Sequence, residues 1–163
     1  MNILVLGIGN LLLSDEAIGV RIVEALEQRF NLSPQVDVMD GGTSGMELMG
    51  DMACREHLIV ADAILTGSPP GTVTVLRDGE VPALYTRKIS PHQLGLADVL
   101  MALHMTGEFP QRLTLVGVEP ESLAVGIGLT GTISRSLDAA LDQVVAALRT
   151  SGVTVTEKEV DHV

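Results

Sequence analysis

Short apolar runs alternate along the chain with stretches in which apolar residues recur every three to four positions. The apolar runs predict strands at residues 3–8, 35–39, 58–61, 72–76 and 113–118, the fourth of them an edge strand. The periodic stretches predict helices at residues 16–29, from 90 onward and at 133–149, with a short helix near Ser44, where Ser44 and Glu47 form a capping box. This alternation predicts a single α/β domain over residues 1–156. We expect a three-layer sandwich, in which helices flank a twisted, mostly parallel sheet, and a frayed tail at 157–163.

The helix that begins near residue 90 has a well-defined start in the sequence. Ser90 is the predicted N-cap, Pro91 suits the first helical position, and Gln93 completes a capping box. His92 then lies in the first turn, where the helix dipole disfavours its protonation. A neutral imidazole is the form that binds metal ions, so this placement is compatible with a ligand role.

Polar residues gather where the predicted strands end. In open α/β sheets the ligand crevice lies outside the carboxyl ends of the strands. The residues that fall there are Asn10, Asp15, Glu16, Asp40, Asp62, His92 and Glu119. Each of the main candidates also has a structural explanation: Glu16 can complement a helix dipole, Asp62 can cap a turn, and His92 can be a surface histidine.

Taken together, several carboxylates at one edge without a nearby Lys or Arg would repel each other, and a bound cation would offset that repulsion. Two carboxylates and one imidazole could bind zinc, nickel, cobalt or cadmium, and the set does not choose among them. Three protein ligands would leave positions open for groups from another molecule. The sequence therefore indicates a cation site at this edge.

Composition narrows the function classes. The chain has 163 residues, 46% of them hydrophobic, and a formal charge of −11, which argues against a nucleic-acid partner because such proteins need a basic surface. A single cysteine, Cys54, excludes an internal disulfide and fits a reducing compartment. The apolar start is short and lacks the features of a signal peptide, and no run is long enough for a membrane span. We expect a soluble, cytoplasmic monomer.

Several common catalytic motifs are incomplete or missing. Gly7 and Gly9 match the first half of a dinucleotide fingerprint, but Leu12 occupies the position of its third glycine. Asp15 and Glu16 would also face the pyrophosphate of such a cofactor. Neither a G-x-S-x-G nor an H-E-x-x-H segment occurs, which disfavours a serine hydrolase elbow and a conventional zinc protease.

Segments spread over nearly the whole chain, to about residue 150, resemble the nickel–iron hydrogenase maturation endopeptidases. Residues 9–20 match the family's opening G-N-x-L-x-x-D-E-x-x-G-V, and residues 40–45 match its D-G-G-T segment. Residues 61–63 correspond to its internal aspartate, residues 90–98 to its histidine segment and residues 117–120 to its late strand motif. The nearest subgroup is that of the hydrogenase 2 type from enterobacteria.

The resemblance implies an endopeptidase that removes a C-terminal extension from the hydrogenase large-subunit precursor after nickel insertion. By position, the metal-contacting residues of the family correspond to Glu16, Asp62 and His92. Nickel would be supplied by the precursor, and zinc or cadmium could substitute for it. The trio would thus be a site for another protein's nickel, with no resident metal.

The catalytic and substrate-binding candidates come from the second strand end. Asp40 is the candidate for assisting a water or holding the substrate chain, with Gly41, Gly42 and Thr43 beside it as substrate-binding residues. Two rival functions stay open at this point. A non-enzymatic nickel-binding chaperone would share the ligand set but leave the mass of the precursor unchanged, and a dinucleotide-binding module would bind NAD or FAD.

Overall fold

The computed structural model describes residues 2–81 and 94–159. Its strands are β1 (Ile3–Ile8), β2 (Phe30–Leu32), β3 (Val36–Gly42), β4 (His57–Ala63), β5 (Val73–Arg77), β6 (Arg112–Val118) and β7 (Val155–Glu157). Its α-helices are α1 (Ile18–Arg29), α2 (Met49–Met52), α3 (Leu94–Thr106) and α4 (Gly131–Thr150), and 3-10 turns cover Ser14–Ala17 and Met46–Leu48.

Five strands form the central sheet in the order β3-β1-β4-β6-β5. The first four run parallel, and β5 joins β6 antiparallel at one edge. Every residue of β1 and β4 is buried, as expected for strands covered on both faces, whereas β5 is only half-buried. The predicted mostly parallel sheet with an edge strand is confirmed.

Helices cover both faces of this sheet. Val5 and Ile59 pack with α1 and α4 on one face, while Leu4 and Leu58 pack with α3 on the other. Because successive strand residues point to opposite faces, each strand contributes side chains to the hydrophobic core on both sides of the sheet. Burying each such Leu, Ile or Val side chain contributes about 1.5–3 kcal/mol. The flanking helices predicted from the sequence are therefore confirmed. Among the described helices, none combines the length and apolar character needed to cross a membrane.

A second, two-stranded sheet was not predicted. It pairs β2 with β7 antiparallel, with Phe30 opposite Glu157. The backbone N–H of Lys158 also donates to the carbonyl oxygen of Arg29 at 2.8 Å. Glu157 and Lys158, the first residues of the predicted frayed tail at 157–163, are therefore not frayed, because these bonds fix them to β2 and α1. Residues 160–163 lie outside the described residues.

Two helix starts also differ from their predictions. A 3-10 turn, Ser14–Ala17, precedes α1, so Glu16 lies in that turn instead of the α-helix. The next 3-10 turn, Met46–Leu48, has Gly45 as its N-cap, and the carboxylate of Glu47 accepts the backbone N–H of Gly45 at 2.9 Å. Bonds from backbone N–H groups lower the pKa of this exposed carboxyl. The predicted N-cap at Ser44 is thus displaced by one residue, because Glu47 bonds back to Gly45. The capping box at Ser90–Gln93 falls outside the described residues.

Candidate functional site

Two glycines allow the turn that carries Glu16 to sit directly on the sheet. A Cβ atom at Gly9 would lie 2.1 Å from the carbonyl oxygen of Glu16. A Cβ atom at Gly19 would lie 2.1 Å from the carbonyl oxygen of Ala61 and 2.3 Å from that of Ile8. The start of α1 is therefore packed against the carboxyl ends of β1 and β4 at backbone distance, which only glycine permits.

Asp62 occupies the matching place on β4. Its Cα pairs with Gly117 of β6, while the last β4 residue paired with β1 is Ala61, opposite Gly7. The turn Ser14–Ala17 packs against β4. Glu16 is 7% exposed and Asp62 2% exposed, so two carboxylates are buried on neighbouring elements at one edge of the sheet. Carboxylate oxygens are ligands that divalent cations accept, so the two side chains are suited to contribute to a metal site at this edge.

The third predicted ligand, His92, lies outside the described residues. Within residues 2–81 and 94–159, no three His, Cys, Asp or Glu side chains are grouped closely enough to hold a metal ion. The predicted trio of Glu16, Asp62 and His92 therefore stays a prediction.

Asp15, the neighbour of Glu16, has a structural role. Its carboxylate is fully buried and accepts the backbone N–H groups of Glu121 at 3.0 Å, Ser122 at 2.9 Å and Thr130 at 2.8 Å. The Thr130 hydroxyl donates to both oxygens, at 3.1 and 2.9 Å. Asp15 thus ties both ends of the loop after β6 to the turn that carries Glu16.

Glu119 is held by hydrogen bonds in a similar way. One of its carboxylate oxygens, Oε1, accepts the backbone N–H and the hydroxyl of Thr66, both at 2.8 Å, and the backbone N–H of Ser68 at 3.3 Å. Protein donors therefore stabilise Asp15 and Glu119. Asp15 and Glu119 therefore serve the fold, while Glu16 and Asp62 are the two predicted metal ligands that lie within the described residues.

The segment after β3 is partly engaged by the fold. Asp40 is exposed, and its Oδ1 accepts the backbone N–H of Gly42 at 2.8 Å, while the carbonyl oxygen of Gly42 accepts the N–H of Gly9 at 2.8 Å. Gly41 is buried against the side chains of β1. Of the three predicted substrate-binding residues, Thr43 is the one that presents an exposed side chain. Gly42, with φ of +52°, shapes the turn.

Asn10 and His57 also serve the fold. Asn10 accepts the backbone N–H of Leu12 through Oδ1 at 2.9 Å, which shapes the loop after β1. His57 begins β4, at the edge of the sheet opposite Asp62. Its Nε2 bonds the hydroxyl of Thr114 at 2.7 Å and its Nδ1 the hydroxyl of Ser151.

An open α/β sheet with buried carboxylates at the carboxyl ends of its strands defines a class of proteins that bind their ligands at that edge. The family model described as hydrogenase maturation protease matches residues 20–147. The hydrogenase 2 maturation protease of Escherichia coli (strain K12) is 66% identical over 163 residues, 99% of each chain. The chain therefore belongs to the hydrogenase maturation protease family, and it is a hydrolase.

Other relatives agree with this assignment. The hydrogenase expression/formation protein HupD of Rhizobium leguminosarum bv. viciae is 44% identical, over 96% of this chain and 78% of its own length. The solved structure of the hydrogenase maturating endopeptidase HYBD from E. coli superposes with a TM-score of 0.95 at 66% identity, covering 97% of this chain and 98% of that one. Sequence and fold thus point to the same family.

Proposed function

We propose that this chain removes the C-terminal extension of the hydrogenase large-subunit precursor after nickel insertion, and that it recognises the nickel that the precursor carries. The observation that carries the proposal is the pair of buried carboxylates, Glu16 and Asp62, on neighbouring elements at one edge of the sheet. The proposal is also supported by the relative named hydrogenase 2 maturation protease, to which this chain is 66% identical.

In this proposal, nickel is part of the substrate. Glu16 and Asp62, together with His92, add ligands to the nickel of the precursor and so fix the scissile peptide beside it. The close backbone contacts at Gly9 and Gly19 fix the position of Glu16 relative to Asp62. Such positioning can supply roughly 7–11 kcal/mol of the barrier at best. A bound metal ion can also polarise a carbonyl or activate a water.

Asp40 is the proposed residue that assists a water or holds the substrate chain. Its exposed carboxylate has Oδ1 committed to the Gly42 N–H. If Asp40 is a general base, its other oxygen, Oδ2, accepts the proton of a water. If Asp40 only positions the chain, the hydrogen bond of Oδ1 that shapes the turn is sufficient. Substitution by asparagine separates these roles, because the amide keeps an acceptor oxygen and loses the basicity.

The proposal also includes cellular context. We propose a monomer that works in the cytoplasm, supported by the single cysteine, which is exposed and free, and by the acidic composition. Light scattering of the purified chain tests the monomer, with a mass near 17.2 kDa expected.

The test of the proposed function compares wild type with Asp62→Asn on nickel-loaded precursor, followed by mass spectrometry. Wild type should shorten the precursor and Asp62→Asn should leave it intact, because the neutral amide is a much weaker nickel ligand. Asp142→Asn, an exposed aspartate on α4, is the matched control and should process normally. Tight nickel binding with unchanged precursor mass for wild type would favour the rival, a non-enzymatic nickel chaperone.

A further inference from the structure

Three large apolar side chains are exposed beside the candidate site. Leu12 is 60% exposed, Val125 87% and Ile127 83%. We call these three residues the apolar crest. Leu12 belongs to the loop between β1 and the turn of Glu16, and the other two belong to the loop after β6. Apolar side chains grouped at one surface commonly mark an interaction site.

The backbone that presents the apolar crest is held by hydrogen bonds between its two loops. Leu13 and Gly126 form a parallel bridge. The N–H of Gly126 donates to the carbonyl oxygen of Leu12 at 2.9 Å, and the N–H of Ser14 donates to the carbonyl oxygen of Gly126 at 3.0 Å. The hydroxyl of Ser14 also donates to the carbonyl oxygen of Ala124 at 2.7 Å. The crest is therefore a built surface on two joined loops.

The apolar crest is continuous with the candidate site. Ser14, which bonds the loop after β6, lies in the same 3-10 turn as Glu16. Asp15, between them, fastens the ends of that loop through Glu121, Ser122 and Thr130. The loops that carry the crest are thus fixed directly to the turn that carries Glu16.

The backbone of the crest has bonding capacity left. Gly126 uses both its N–H and its carbonyl oxygen within the loop pair, whereas no hydrogen bond to another described residue involves the backbone of Val125 or Ile127. An extended peptide can use such groups by strand-like addition while its side chains contact the apolar ones. This combination fits an extended apolar polypeptide better than a small polar ligand.

We propose that the apolar crest docks an extended, apolar segment of the precursor next to its cleavage point, an inference that rests on the proposed function. The occupant must be a polypeptide because the enzyme is an endopeptidase, and an apolar one because the described crest offers Leu, Val and Ile side chains. The crest supplies affinity, while Glu16 and Asp62 serve the metal end of the same substrate.

The test uses the double variant Val125→Ser and Ile127→Ser with nickel-loaded precursor as substrate, and circular dichroism to verify the fold. Met105→Ser is the matched control, since Met105 is 82% exposed near the end of α3 that leads toward the amino ends of the strands. The double variant should raise KM about tenfold or more with kcat little changed, and the control should match wild type.

Each other outcome overturns the inference in a recognisable way. Wild-type cleavage with unchanged KM in the double variant removes the docking role and leaves the proposed function standing. A fall in kcat at constant KM also contradicts docking. A wild-type dimer that the double variant converts to monomer, seen by light scattering, would assign the crest to self-association. Failure of wild type to cleave would refute the proposed function, and the inference with it.

Discussion

Thr130 donates to the carboxylate of Asp15 from its backbone N–H and, in a bifurcated hydrogen bond to both oxygens, from its hydroxyl. Because Asp15 precedes Glu16 directly, this contact joins the start of α4 to the turn that carries a proposed nickel ligand. The loop between β6 and α4 and the candidate site therefore form one structural unit.

Asp15→Asn should destabilise this unit. The amide group would turn an NH₂ toward N–H and hydroxyl donors, so buried donors would lose their acceptor, at a cost of about 2 kcal/mol. Urea unfolding followed by circular dichroism measures the loss. Asp142→Asn, exposed on α4, should change stability little. Equal stability of the two variants would show that the Asp15 bonds contribute nothing net.

Gly19→Ala should destabilise the chain by about 1–3 kcal/mol or more, because its Cβ atom would meet the carbonyl oxygens of Ala61 and Ile8. Backbone atoms cannot move aside as a flexible side chain can. The matched control is Gly50→Ala in α2, where a Cβ atom meets nothing within 4 Å. Thermal unfolding should show a lower Tm for Gly19→Ala alone. A Tm equal to that of the control would refute the close packing of α1 on the sheet.

Asp40 variants decide between the two roles proposed for that residue. If Asp40 is a general base, Asp40→Asn should lower kcat by about 100-fold or more. If it holds the substrate chain by means of the turn that it forms with the Gly42 N–H, Asp40→Asn should retain activity, and Asp40→Ala should raise KM instead. We expect the first result. Near-normal kcat in Asp40→Asn would exclude base catalysis by this residue.

His57 makes stability depend on pH. Burial lowers the pKa of His57 below its ordinary 6.5; the positive charge of Arg112 lowers it further, against an opposing effect of Asp78. Below pH 6.5 the unfolded chain therefore binds more protons at His57 than the folded chain does. The contribution of His57 to the free energy of unfolding is fully present above pH 6.5 and is lost as the pH falls toward the pKa of the folded state.

His57→Gln should therefore reduce the loss of stability between about pH 8 and about pH 5 relative to wild type. His104→Gln, in which an exposed histidine stacked on Phe109 is changed, is the control and should keep the wild-type slope. Urea unfolding at both pH values supplies the comparison. If the free energy of unfolding fell more steeply with decreasing pH in His57→Gln than in wild type, the direction assigned to the His57 effect would be contradicted.

The parallel core was predictable because its signal is local. The continuous apolar runs that became β1 and β4 are long enough to indicate burial on both faces, and strand ends then place Glu16 and Asp62 at one edge. The resemblance to the hydrogenase maturation endopeptidases was confirmed by the comparisons. The three metal ligands suggested by it are still a prediction.

What could not be predicted depends on contacts between distant residues. The donors to Asp15 lie 106 to 115 positions away, and those to Glu119 lie 51 to 53 positions away, so no local pattern distinguishes these anchors from ligands. The strands β2 and β7 have three residues each, too few to show alternation. Their pairing is what fixes Glu157, which the sequence placed in a frayed tail.

The central claim is that the substrate's own nickel, held by Glu16 and Asp62 with His92, directs cleavage. Its most direct test incubates wild-type protein with nickel-loaded and nickel-free precursor and follows the mass of the large subunit over time. We predict loss of the C-terminal extension from the loaded precursor alone, with Asp62→Asn and His92→Ala inactive on both although each keeps its fold by circular dichroism. Equal cleavage of nickel-free precursor by wild type would contradict the claim.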